Sequence, residues 1–230
     1  MVIPSTIKES LFLAVAILAL APSIRSHGAT IVPDEDTFIT THTGLGGPAS
    51  AHPSDAALYA IGQTSFTSHT LLHFDLSAFT GQTAIGDATL SLFVSSVFGL
   101  TPARTVSVHE VLTNWSAATV TYNNFGPMPG MQIGSDVSAQ IAVRTIGAAG
   151  MTAQYVTWTI PASLIQNWID NPAGNRGILI NNQSTANQRD LVFGSVEAAN
   201  TPLLAFIVPE PAMGSLLLFG AIVLMGLRRN

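Results

Sequence analysis

From residue 30 to residue 207 apolar and polar positions alternate with a period of two over short stretches, the pattern of half-buried strands. In Thr70–Leu76 the side chains of Leu72, Phe74 and Leu76 share one face and those of Leu71, His73 and Asp75 the other. Ala88–Val94 directs Ala88, Leu90, Leu92 and Val94 inward in the same way. Further strands are predicted at Thr37–Thr40, Leu58–Gly62, Thr105–His109, Val120–Tyr122, Gln154–Ile160, Gly177–Ile180, Leu191–Phe193 and Leu203–Ile207. Short strands parted by turn residues about every ten positions predict an all-β, jelly-roll-like sandwich. One stretch departs from the rule. Pro161–Ile169 carries apolar residues at i, i+1, i+4 and i+5, which predicts a two-turn helix with Pro161 at its first position and a stop before Pro172.

The two ends follow different patterns. Lys8 precedes an apolar run, Leu11 to Ala21, and small residues follow; residues 1–29 are therefore expected to be a signal peptide cleaved between 23 and 29, with a signal anchor as the alternative. At the other end Val208-Pro209-Glu210-Pro211 is followed by 16 uncharged residues, Ala212 to Leu227, and then Arg228 and Arg229. That run is shorter than the ~20 residues a helix needs to cross a bilayer, but the arginines extend its reach by snorkelling and favour the cytoplasmic side. The order of Pro-Glu-Pro, apolar helix and basic end resembles the PEP-CTERM sorting signal. The resemblance implies cleavage at Val208, Pro209, Glu210 and Pro211 by a sorting protease of the exosortase type. It also implies a membrane-bound intermediate held through residues 212–227, then delivery to the cell surface or extracellular matrix.

About 180 residues remain between the ends, enough for one domain with its own core. Residues 30–207 hold four arginines and no lysine against eleven acids, a net charge of −7. Such a surface excludes nucleic acid as a partner. The chain has no cysteine, so disulfides, thiolate metal sites and thiol chemistry are excluded together.

Seven stretches in order resemble the DNRLRE-type domain, a β-sandwich family related to carbohydrate-binding module family 96. They are Asp36-Thr37-Phe38, Leu71-Leu72-His73-Phe74-Asp75-Leu76-Ser77, Ala88-Thr89-Leu90-Ser91-Leu92, Val111 to Trp115 with Val120-Thr121-Tyr122-Asn123, Gln166-Asn167-Trp168 with Asn175-Arg176-Gly177-Ile178-Leu179, Phe193 to Ala198, and Pro202-Leu203-Leu204. His69 and His73 stand where the family pattern has arginines, and Val196 stands in place of the arginine of a Ser-Arg-Glu triplet. Arginine grips a carboxylate through two parallel bonds and an imidazole does not, so a neutral glycan, a cation-bridged acidic one or no glycan is favoured over direct binding of an acidic sugar.

The candidate site residues follow from chemistry. Tyr59 and Tyr122, beside loop residues, are candidate sugar-stacking rings, and His73 is a candidate polar contact. His69 and His73 are ~13 Å apart along one strand face, too far to share a metal, whereas His73 and Asp75 are close enough to act together. Asp34, Glu35 and Asp36 are candidate ligands for a structural Ca²⁺, a cation that prefers carboxylate oxygens. Trp115 and Trp168 are expected in the core. No nucleophile elbow, metalloprotease helix or phosphate-binding glycine loop occurs. The resulting expectation is an exported, non-catalytic surface or matrix protein that interacts with extracellular polysaccharide. The alternatives are a structural or adhesive coat protein without a glycan ligand and, less favoured, a polysaccharide-active enzyme.

Overall fold

Alternation in the chain becomes eleven strands and one α-helix in the computed structural model, which describes residues 26–98, 103–147, 152–184 and 190–209. The strands are β1 (Ser26–Ile31), β2 (Glu35–Thr40), β3 (Ala57–Gly62), β4 (Thr67–His73), β5 (Ala88–Phe98), β6 (Arg104–Val111), β7 (Val137–Ile146), β8 (Gln154–Ile160), β9 (Ile178–Asn182), β10 (Asp190–Gly194) and β11 (Leu203–Pro209); the helix α1 is Ala162–Asp170. They belong to one unit, Gly28–Val208. The expected leader up to residue 25 and the sorting segment from Glu210 to Arg229, with its membrane span at 212–227, lie outside the described residues. Among the described residues no helix is long and apolar enough to cross a membrane.

A single curled sheet runs β1-β11-β5-β10-β3-β4-β9-β6-β7, with β2 added beside β4 and β8 beside β5. Curling brings two layers face to face. One is β2-β4-β9-β6-β7, and the other carries β1, β11, β5, β8, β10 and β3. Between them lies the main core, in which Leu72 of β4 and Phe74 just beyond its end join Leu90, Leu92 and Val94 of β5, Val106 and Val108 of β6, and Leu191 and Phe193 of β10. The period of two places alternate residues of each strand in this core. The all-β sandwich with one short helix is thus the observed architecture.

The first layer also buries part of its outer face. Ile39, Leu71, Leu179, Val111 and Val137 lie under the long connection from β6 to β7, which contributes Val120 and Phe125. This explains the one misplaced strand. Val120–Tyr122 was expected to extend a sheet, but it forms turns in that connection, and its apolar residues cap a face instead of pairing. β7 escaped the pattern because it is an edge strand whose middle is exposed or half-buried, so its polar contrast is weak. β1 takes in residues 26–29, which had been grouped with the leader, and Ala29 joins the core. At the other end Val208 is buried and β11 runs to Pro209, so the first two residues of the expected sorting motif are also the last of that strand.

Helix α1 forms where expected, with Pro161 one place earlier as its cap. Proline has no side-chain acceptor, so the first turn takes one from elsewhere: the Ala162 amide donates to Asp87 Oδ1 at 2.9 Å. Leu164, Ile165, Trp168 and Ile169 bury the inner face, which places Trp168 in the core as expected.

Candidate functional site

Strand β2 pairs with β4 along its whole length, Glu35 opposite His73 through Thr40 opposite Ser68, and forms an edge of the first layer. Three clefts follow this edge.

The first and largest, about 620 Å³, opens between β2, β3 and the Gly/Pro/Ser-rich loop before β3. Its floor is aromatic. Phe38 stacks on His52 with centroids 4.0 Å apart, and Tyr59 meets Phe38 edge-on at 5.0 Å. Phe38 is buried and Tyr59 is half-buried, so the tyrosine presents the accessible ring. The loop is pinned by Thr37 Oγ1 donating to the His52 carbonyl at 2.9 Å. His52 Nδ1 lies 2.8 Å from Asp55 Oδ2, which fixes the imidazole plane. Ser50, His52 and Asp55 do not form a nucleophilic relay, because the Ser50 hydroxyl donates to the Gly46 carbonyl and His52 Nε2 has no partner.

The second cleft, about 200 Å³, holds His73, Asp34, Glu35, Asn114, Trp115 and Arg176. His73 Nδ1 lies 2.7 Å from Asp34 Oδ1. Its expected partner, Asp75, turns away, because β4 ends at His73 and Asp75 accepts from the Ser77 amide at 2.8 Å and hydroxyl at 3.0 Å. Those bonds hold the Asp75 carboxyl below the usual carboxylate range. Trp115, expected in the core, is only half-buried and lines this cleft, its Nε1 donating to the Arg176 carbonyl at 2.8 Å. Arg176 folds back onto the carbonyls of Ala173 and Asn175.

A third cleft, about 240 Å³, shares Asp34 and Glu35 with the second and adds Asp36, Pro53, Val196 and Glu197. Asp36 is only 4% exposed. Burial pushes its carboxyl up to about 7, against the lowering effect of the Val196 amide and with a further push from Glu197. Glu197 is held by the Ser195 hydroxyl at 2.7 Å.

Each of the three carboxylates expected to offer oxygens to Ca²⁺ has a hydrogen-bond partner of its own. Asp34 is taken by His73, Glu35 accepts from the Ala117 amide at 2.9 Å, and Asp36 accepts from the Val196 amide at 2.7 Å. All three residues line the third cleft, but their carboxylates are engaged by different partners. Among the described residues no group of three or more His, Asp or Glu side chains forms a metal-holding cluster.

Tyr122 has a different environment from Tyr59. It stacks over His69 with centroids 6.5 Å apart and near-parallel planes. Gly130, at φ +78°, lies so close that a Cβ there would be 2.5 Å from the Tyr122 ring. His69 is buried beneath it, and burial, with His109 nearby, lowers its imidazole to about 4. The two histidines at the family's arginine positions have therefore separated: His73 lines an open cleft and His69 is an uncharged part of the interior. The structure places Tyr59 and His73 on the β2 edge and Tyr122 in packing on the outer layer face.

The family model of carbohydrate-binding module family 96 matches residues 28–207. The chain belongs to carbohydrate-binding module family 96. Solved structures that align with it include the cleaved adhesin domain of Lys-gingipain from Porphyromonas gingivalis, at 10% identity over 78% of this chain and 99% of that one, with a TM-score of 0.34. Another is the CBM22-1–GH10 modules of Clostridium thermocellum endo-1,4-beta-D-xylanase 10B complexed with xylohexaose, at 12% identity over 80% of this chain and 29% of that one, with a TM-score of 0.27. No curated protein is similar enough to this chain to match.

Of the residues now lining the clefts, sequence reasoning missed His52, Asp55 and the accessible face of Trp115. The nearest signal was the pair of polar residues three apart in a Gly/Pro-rich loop next to a tyrosine strand.

Proposed function

We propose that this family 96 module is an exported, non-catalytic binding protein that holds extracellular polysaccharide in the Tyr59 cleft. The observation that carries the reading is the aromatic floor of Phe38, His52 and Tyr59 in the largest cleft of the β2 edge. An aromatic ring offers the apolar face of a sugar a flat partner, while Asp55 and Ser50 on the rim offer hydrogen bonds to hydroxyls. The accessible acids along the edge, Asp34, Glu35 and Glu197, repel a polyanion, which favours an uncharged polysaccharide. The C-terminal sorting signal delivers the protein through a membrane-held intermediate to the surface or matrix, with cleavage at the Pro-Glu-Pro segment by an exosortase-type protease.

Native affinity electrophoresis of the full chain in gels containing xylan, mixed-linkage β-glucan or alginate tests the binding. Retardation by a neutral polymer that Tyr59→Ala abolishes supports the cleft; equal mobility in every gel removes the binding reading and leaves a structural coat protein. The sorting reading is tested separately by intact mass of the material released from cells, which is expected to lack Arg228 and Arg229.

A further inference from the structure

The second layer has an outer face that the Tyr59 cleft does not use. Cross-strand pairs of β5 and β8 place Phe93 opposite Tyr155, Ser91 opposite Thr157 and Thr89 opposite Thr159. Their neighbours Leu90, Leu92, Val94, Val156 and Trp158 are core residues, so these six side chains point outward. None of the six is charged, in a domain whose net charge is −7. Strand β8 borders a cleft of about 380 Å³ toward β7. Natural edge strands are commonly guarded by lysines, prolines or inward charges; this one instead carries hydroxyls on its outer face.

The aromatic pair is fixed. Tyr155, 40% exposed, meets Phe93 edge-on at 5.3 Å, and its hydroxyl donates to the Thr201 carbonyl at 3.2 Å. A ring held at both its edge and its hydroxyl loses little freedom when a ligand covers its face. Among the described residues one cation, Arg144, reaches this surface. Arg144 crosses from β7, and its Nη1 donates to the Thr157 carbonyl at 2.8 Å and hydroxyl at 3.0 Å. That arrangement orients Thr157 and leaves the rest of the guanidinium for further hydrogen bonds.

Strand pairing relates this face to Tyr59 of the first cleft across Val192, which is itself buried. Tyr59 of β3 pairs with Val192 of β10, and Val192 pairs with Ser96 of β5, three residues from Phe93. Three strand spacings and three residues of rise separate Tyr59 from Tyr155, roughly 15–20 Å. The two rings are therefore separate contact points, further apart than a single sugar reaches.

We propose that the β5–β8 face is a second contact surface for an uncharged polysaccharide, with Tyr155 as its stacking ring and Thr157, Thr159 and Arg144 as its hydroxyl-binding groups. The proposal rests on the polysaccharide reading above and adds a separate site to it. The occupant is a neutral glycan because the six paired positions of the face offer a flat apolar ring and hydroxyls and none of them is a carboxylate. A second copy of the chain is the competing occupant.

The test is affinity electrophoresis of the full chain in xylan and mixed-linkage β-glucan gels, comparing wild type with Tyr155→Ala, Thr159→Glu and Tyr59→Ala. Thr159→Glu leaves every core contact intact, so it probes the face even where Tyr155→Ala weakens packing. The expected result is a loss of apparent affinity of tenfold or more for both β8 variants, with thermal midpoints showing them folded. Wild-type retardation by Tyr155→Ala and Thr159→Glu, together with loss in Tyr59→Ala, overturns the second surface and keeps the first cleft. Loss in the β8 variants with none in Tyr59→Ala keeps this face and overturns the first cleft. An unretarded wild type overturns both. Sedimentation velocity without polymer decides the competing occupant, since a dimer that Thr159→Glu dissociates would also overturn the glycan assignment.

Discussion

The Asp36 carboxylate accepts a 2.7 Å hydrogen bond from the amide of Val196, 160 residues further along the chain. The contact ties the first strand of one layer to the turn that follows β10, and it does so with a group that burial holds near neutrality of charge. The folded carboxyl keeps its proton up to about pH 7, whereas an unperturbed one releases it near 3.8. Stability contributed by Asp36 is therefore present below pH 4, falls as pH rises to 7, and is level above that. Asp36→Asn retains an acceptor for the Val196 amide and cannot ionise. It is expected to raise stability at pH 8 by on the order of 3 kcal/mol and to change little at pH 4. Urea unfolding at the two pH values measures this, and an equal effect at both would show that ionisation is not the cause.

His69 acts in the opposite direction. An imidazole in the unfolded chain takes up a proton near 6.5 and this one only near 4, so stability is lost as pH falls through that window. With Asp36 opposing it, the wild type is expected to vary little in midpoint between pH 4 and 6.5. Asp36→Asn should unmask an acid-labile protein, and the double variant Asp36→Asn with His69→Gln should be flat again. A single variant that stays flat would show that His69 does not supply the acid response.

Gly177 is the residue least open to substitution near the His73 cleft. It has φ +75°, and a Cβ there would lie 2.1 Å from the Leu72 carbonyl oxygen of β4. Its amide is also held by Asn175 Oδ1 at 2.8 Å. Gly177→Ala must displace β4 or β9 backbone and is expected to cost about 3 kcal/mol or more, read as a lower thermal midpoint.

Trp115 separates a ring effect from a hydrogen-bond effect. Trp115→Phe keeps an aromatic surface in the cleft but leaves the Arg176 carbonyl without its 2.8 Å donor. The expected loss is about 1 kcal/mol, visible in chemical denaturation, with retardation by neutral polymers nearly unchanged if the Tyr59 cleft carries binding.

The strands that could be read from the chain are those with one buried face, such as Ala88–Val94 and Gln154–Ile160, because their alternation records the two-fold repeat of the backbone directly. The helix was legible for the same reason at a different period, in Leu164, Ile165, Trp168 and Ile169. Val120–Tyr122 was not, because its apolar residues cover a sheet without pairing in it, and local pattern does not distinguish the two. The family was legible too, through seven short stretches in order.

The amino-acid sequence by itself determined the fold class, the absence of thiol chemistry and the acidic, lysine-free character of the domain, since these depend on composition and on neighbours two residues apart. Only the tertiary structure decided which polar residues meet. It paired His73 with Asp34 instead of Asp75, sent Asp34, Glu35 and Asp36 to three separate partners, buried His69 under Tyr122, and set His52 against Phe38 and Tyr59. Each of these contacts depends on where a strand ends or on which loop covers it, and such placements arise from packing between segments distant in the chain.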